Sequence, residues 1–255
     1  MKRLVAIGVG TWAFLMIMAG ILLHHAPVAQ ARVVSEEEAV AVGFDCADVT
    51  QIPQSECEAL VAFYYATGGG EWWNKDGWLV TNTPCAWYGS ACEAGHVTGL
   101  DMGYDTNLVG TIPPELADLT HLTLLMLWGL SGVIPPELGS LQQLETFMLG
   151  HNYELSIPPE LGNLSNLVEL HITVVSPPTD SSELQALLQG TGGATIPPEL
   201  GNLTNLQVLD ITHSVGGEIP PELGNLTNLQ VLNLEVNSLS GEIPPELGNL
   251  SNLIY

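Results

Sequence analysis

His171, Asp210, Glu169 and His213 are side chains that do chemistry, and they sit at comparable steps of a repeated pattern. A histidine beside an aspartate is the base-and-orienter half of a nucleophilic triad. Two histidines with two carboxylates are also common donors to a divalent metal. The sequence completes neither arrangement. No Ser or Cys stands at a strained turn as the nucleophile the pair would activate, and His171 and Asp210 lack the local spacing of a dedicated zinc site. There is no Walker loop, GxSxG, HExxH or EF-hand loop, and the GTGG at 190–193 stands alone. The expectation is no catalytic residue, no metal and no cofactor, with these groups as polar decoration of a binding face.

The elements that position them follow from repetition. IPPELGNLTNLQVL occurs word for word at 196–209 and again at 219–232. Its isoleucine recurs as Ile112, Ile134, Ile157, Ile196, Ile219 and Ile243, at spacings of 22, 23, 39, 23 and 24 residues. In LQVLNL, Leu229, Leu232 and Leu234 alternate with Val231, Asn233 and Glu235, which predicts a short strand with one buried face. One such unit cannot bury its leucines alone, so successive strands must stack into a parallel sheet. Asn237 is expected to turn inward and bond the backbone where the strand ends, with Asn152 and Asn107 as its counterparts; Gly241 permits the bend that follows. Proline has no amide hydrogen, so IPPEL is an extended return into a short helical turn on the far side. Ile243 and Leu247 would point to the core.

The last full copy, LTNLQVLNLEVNSLSGEIPPELGNL at 226–250, resembles the plant-type extracellular leucine-rich repeat, LxxLxxLxLxxNxLxGxIPxxLGx. The resemblance covers about residues 97–255. It implies an α/β repeat fold: a right-handed solenoid with a parallel β-sheet on its concave face. The family's N-terminal cap is a helix, a tryptophan segment and CxWxGVxC; Cys85, Trp87, Gly89 and Cys92 match the last motif, with Ser90 and Ala91 in place of Val-x. Before it, SECEALVAFYYATG reads as a helix opened by a capping box from Ser55 to Glu58 and stopped by Gly68. Its buried face would hold Cys57, Leu60, Val61 and Tyr64. Trp72, Trp73, Trp78 and Trp87 are then expected in the cap core.

Stacking places outward residues in columns roughly 4.8 Å apart. One column reads Asp101, Met126, Met148, His171, Asp210, Asn233; the next reads Gly103, Trp128, Gly150, Thr173, Thr212, Glu235. Tyr104, His151, Glu169 and His213 flank them. Trp128, Met126 and Met148 are the most credible apolar anchor for a partner. The spacing of 39 holds an insertion near 174–194 that could form a short helix and emerges at the rim of this face, as binding loops often do.

Residues 1–31 have the three parts of a secretory signal: Lys2 and Arg3, an apolar run from Leu4 to Leu23, and Ala29-Gln30-Ala31. The run is long enough that an uncleaved membrane anchor is the alternative. A linker at 32–44 precedes a cap at 45–95 and repeats at 96–255. The four cysteines, Cys46, Cys57, Cys85 and Cys92, fit disulfides in a secreted chain, with the local pairing Cys46–Cys57 and Cys85–Cys92 favoured because each pair brackets a short segment; zinc is the competitor. With 28 acidic residues and only Arg32 and Lys75 as cations beyond the signal, the surface repels nucleic acid and anionic lipid. Asn163, Asn202, Asn225 and Asn249 head Asn-Leu-Ser/Thr sequons that repeat consensus explains. The stop at SNLIY, without a C-terminal cap, is read as a fragment end or an exposed edge.

The function expected is therefore that of a secreted or cell-surface leucine-rich-repeat protein without enzymatic activity. It would bind a protein, peptide or glycan on its concave face, and its GNLTNL consensus and acidic balance suit a bacterial member. The rivals are a surface spacer or adhesin stalk, and the sensor part of a larger receptor or enzyme.

Overall fold

A tryptophan cluster closes one end of the molecule. The computed structural model describes residues 43–103, 106–174, 194–213 and 215–254; the expected signal, most of the linker, Tyr104 and nearly all of the insertion lie outside them. The cap opens with a 3-10 turn, Cys46–Asp48, capped by the Asp45 carboxylate, which accepts from the Ala47 N–H at 2.8 Å. Helix α1 follows at Gln54–Ala66.

The expected capping box is absent. Pro53 occupies the cap position with no side-chain bond to the helix, and Gln54 Nε2 instead donates to Glu58 Oε1 at 2.7 Å. The Pro53 carbonyl accepts the first helical bond, from the Cys57 N–H at 3.1 Å, so the cap stands two residues before Ser55, which lies inside the helix. Thr67 closes α1, its hydroxyl donating to the Phe63 carbonyl at 2.6 Å, and Gly68 takes the left-handed conformation (φ 71°). The buried face carries Glu56, Cys57, Ala59, Leu60 and Phe63, while Val61 and Tyr64 are only partly buried.

Trp72, Trp78 and Trp87 pack together, with ring centroids 5.1 Å apart for the first pair and 4.9 Å for the second. Each indole N–H donates to a backbone carbonyl, that of Thr67, Tyr88 and Thr81 respectively. Trp73 does not join them; it is 73% exposed. The backbone at Trp72 is extended, so the next side chain points to the opposite side. Disulfides Cys46–Cys57 and Cys85–Cys92 tie the cap together.

The sheet begins with a hairpin of β1 (Ser90–Glu93) and β2 (His96–Met102), its antiparallel pair. Parallel strands then stack turn by turn: β3 (Leu124–Trp128), β5 (Thr146–Ser156), β6 (Glu169–Val174), β8 (Val208–Thr212) and β10 (Val231–Asn233). Alternate residues face the interior, Leu100, Leu125, Phe147, Leu170 and Leu209 forming one fully buried row. Each such side chain contributes about 1.5–3 kcal/mol of burial. Short strands on a second flank, β4 (Ser131–Val133) against β5, and β7 (Ala194–Thr195), β9 (Val215–Glu218) and β11 (Ser238–Ser240) against one another, were not expected from the sequence.

Every IPPEL segment does enter a 3-10 turn, from Pro114–Asp118 in the first copy to Pro245–Asn249 in the last. The glycine that ends IPPELG has a steric cause. A β-carbon on Gly139, Gly162, Gly201 or Gly224 would lie 2.3–2.4 Å from the carbonyl oxygen of Glu160, Glu199, Glu222 or Glu246 in the next turn. Glycine thus sets the spacing on this side as the leucines set it within.

Asn237 turns inward as expected. Its amide donates to the Ile211 and Leu234 carbonyls at 2.6 and 2.9 Å, and its Oδ1 accepts from the Val215 N–H at 3.0 Å. Asn107 does not; it is exposed, and the buried Thr106 takes over, donating to the Gly103 carbonyl at 2.7 Å. That turn runs ten positions from Met102 to Ile112, one more than from Leu234 to Ile243, which shifts the register of the bend. Ile243 is 77% exposed, unlike its buried counterparts Ile112, Ile134, Ile157 and Ile196.

Candidate ligand-binding face

The outward columns form with the register the repeats predict. Asp101 pairs with Met126, Met126 with Met148, Met148 with His171, His171 with Asp210 and Asp210 with Asn233. Trp128 pairs with Gly150 and Thr173 with Thr212 in the next column. Glu235 follows β10, outward and exposed. His151, within β5, and His213, just past β8, both have positive φ (53° and 59°), which bends the chain where they stand.

In the middle of the face, His171 Nε2 lies 3.8 Å from Glu169 Oε2 and His171 Nδ1 lies 3.8 Å from Asp210 Oδ2. Opposite edges of one ring face the two carboxylates, so no single point is shared by all three as a metal would require. Both separations exceed hydrogen-bonding distance. His213 stands apart at the rim. Asp210 Oδ1 is shielded from solvent and accepts no hydrogen bond among the described residues.

Toward the cap, Trp128 and the exposed Trp73 line a cleft of about 350 Å³ whose floor and walls include Gly103, Leu108, Gly129 and His151. The Trp128 ring lies over Gly150 and its centroid is 5.6 Å from that of His151. Trp73 is anchored by its backbone N–H donating to the Thr106 carbonyl at 3.1 Å. Met126 and Met148 lie half-buried on the same sheet. At the other edge a groove of about 560 Å³ is lined by amides, Asn166, Asn205, Asn228, Gln207 and Gln230, with Glu145.

Sequence reasoning placed Trp128 in this face but assigned Trp73 to the core. The alternation of side chains at Trp72-Trp73 was the available signal. It also missed Glu56, His96 and His121, which converge beside the cap: His96 Nδ1 is 2.6 Å from Glu56 Oε1 and His121 Nδ1 is 3.9 Å from the same oxygen. His121 stands where the repeats place asparagine, a departure visible in the alignment of copies.

Residues 228–250 match the family model described as Leucine Rich Repeat. The chain is similar to the solved plant peptide hormone receptor RGFR1 in complex with RGF2, 34% identical with a TM-score of 0.54 over 66% of this chain and 28% of that one. The fold is a leucine-rich-repeat solenoid. The same fold is seen in a plant ice-binding protein, at 22% identity and a TM-score of 0.57 over 78% of this chain and 61% of that one. A segment of 46 residues is 44% identical to Receptor-like protein 5 of Arabidopsis thaliana. This solenoid spans 17% of the length of that relative and 28% of the hormone receptor. The repeats are similar to those of these plant receptors.

Proposed function

We propose that the solenoid is a secreted or cell-surface binding protein, without catalysis of its own, that takes a cationic peptide along the outward face of its sheet. The observation that carries this reading is the cleft between Trp73 and Trp128. Two large indoles at a cleft of about 350 Å³ suit one or two apolar side chains. From there the face runs past Met126 and Met148 to Glu169, His171 and Asp210. Asp101, Glu145, Glu169, Asp210 and Glu235 make it acidic, and Lys75, the only lysine or arginine after Arg32, is in the cap with its ammonium donating to the Gly70 carbonyl. A lysine or arginine of the peptide would pair with the partly exposed carboxylates of Glu169 and Asp210. His151, His213 and Asn233 would line its path, and Tyr104 adjoins the cleft in sequence. The hormone receptor with a similar solenoid is in complex with RGF2, which adds support for a peptide over a glycan. Two disulfides favour an oxidising compartment.

The test is selection from a random peptide library against the immobilised protein. Enriched sequences should pair a bulky apolar residue with lysine or arginine, and their capture should fall with added salt and with Trp128→Ala. Enrichment of neutral sequences indifferent to salt, or of none, while an oligosaccharide array gives signal, would replace this reading with a glycan binder.

A further inference from the structure

We propose that Glu56, His96 and His121 form a site for a zinc-class divalent cation that joins the cap to the first turn of the solenoid. The ladder of asparagines along the edge of the stack points to it. Asn166, Asn205, Asn228 and Asn252 each donate through Nδ2, at 2.8 Å, to a carbonyl of the turn before. His121 occupies this position in the first turn, where the preceding element is the cap. Its ring stacks on that of His96, centroids 3.7 Å apart and 18° from parallel. Both rings turn Nδ1 toward Glu56 Oε1, and one donor atom from each of the three residues lies within 4.8 Å of the other two.

Three elements supply the donors: α1, β2 and the loop entering β3. Glu56 is 2% exposed, and its other oxygen is fixed by the Val97 N–H at 2.7 Å. That bond orients Oε1 as an outer partner orients a metal ligand. Zinc binds imidazole nitrogen and carboxylate oxygen at about 2.0–2.2 Å, which places tetrahedral donors roughly 3.3 Å apart. The present separations of 2.6 and 3.9 Å from Glu56 Oε1 straddle that value. Ligation would lengthen the Glu56–His96 contact and turn the half-exposed His121 ring out of the stack, so that the ion lies in the plane of each imidazole; this releases Thr120 Oγ1, now 3.3 Å from His121 Nδ1. His121 is half-exposed and His96 about a third, so water reaches the fourth position. Imidazole and carboxylate together suit zinc over calcium or magnesium, which take oxygen. On binding, each histidine gives up any Nδ1 proton to solvent. The ion would be a staple between cap and stack.

The full chain, stripped with chelator, is titrated with Zn²⁺ by calorimetry and with Co²⁺ by visible absorption. One ion per chain is expected, with tetrahedral Co²⁺ bands, and a melting temperature raised by about 5 °C at a hundredfold excess over Kd. His121→Asn, which supplies the asparagine of the last four copies, should keep the fold and lose at least tenfold in affinity. His171→Asn should bind as the parent does. Nδ1 resonances of His96 and His121 should shift on Zn²⁺ addition. No binding by the parent, binding unchanged in His121→Asn, or shifts confined to other histidines would overturn the proposal.

Discussion

The indole of Trp128 lies across the backbone of Gly150, its partner on the next strand. A β-carbon on Gly150 would fall 1.8 Å from ring atoms Cε3 and Cζ3. The smallest residue on one rung therefore seats the largest on the rung before, and the orientation of the cleft depends on both.

Gly150→Ala should displace the Trp128 ring. The substitution costs about 1–3 kcal/mol by overpacking, read as a lower urea midpoint, and shifts the tryptophan emission. An unchanged emission spectrum would mean that the ring does not rest there.

The glycines that end IPPELG make a paired test. Gly201→Ala brings a β-carbon to 2.4 Å from the Glu222 carbonyl, whereas the same carbon on Gly248 meets nothing within 4 Å. Gly201→Ala should destabilise by about 1–3 kcal/mol. Gly248→Ala should be neutral or slightly stabilising, through a less flexible unfolded chain. Equal effects in denaturant melts would show that contact between turns does not select the glycine.

The parts legible in the sequence were those that a single repeat determines. The alternation of Leu229, Leu232 and Leu234, copied turn after turn, gives the strand, the stack and the columns from Asp101 to Asn233. Asn237 was legible for the same reason. Features set by contact between unlike segments were not. Trp73 looks identical to Trp72 until the backbone direction is known. Ser55 and Glu58 have capping-box spacing, but the helix starts two residues earlier, with Pro53 at the cap. Thr106 replaces Asn107 because that turn carries one more residue before its return than the turn of Asn237. The flank strands, such as β9 and β11, carry glycine and serine in place of alternating apolar residues, so no periodic signal marks them.

Asn237→Ala removes one acceptor and two donated bonds that join two turns. The Val215 N–H and the Ile211 and Leu234 carbonyls lose these partners, and the loss should be about 1–3 kcal/mol. Amide exchange would report it locally, as faster exchange at Val215 with β2 and β3 unaffected. Uniformly faster exchange along the chain would instead mean that the turns unfold as one unit.

The most direct measurement is the affinity of a library-selected peptide for four proteins: the parent, Trp73→Ala, Trp128→Ala and, on the opposite side, Glu222→Gln. The two tryptophan variants should each bind at least tenfold more weakly, a loss of about 1.4 kcal/mol or more, with melting temperatures within a few degrees of the parent. Glu222→Gln should bind as the parent does. Full affinity in both tryptophan variants, or weaker binding only in Glu222→Gln, would place the ligand elsewhere and contradict the account.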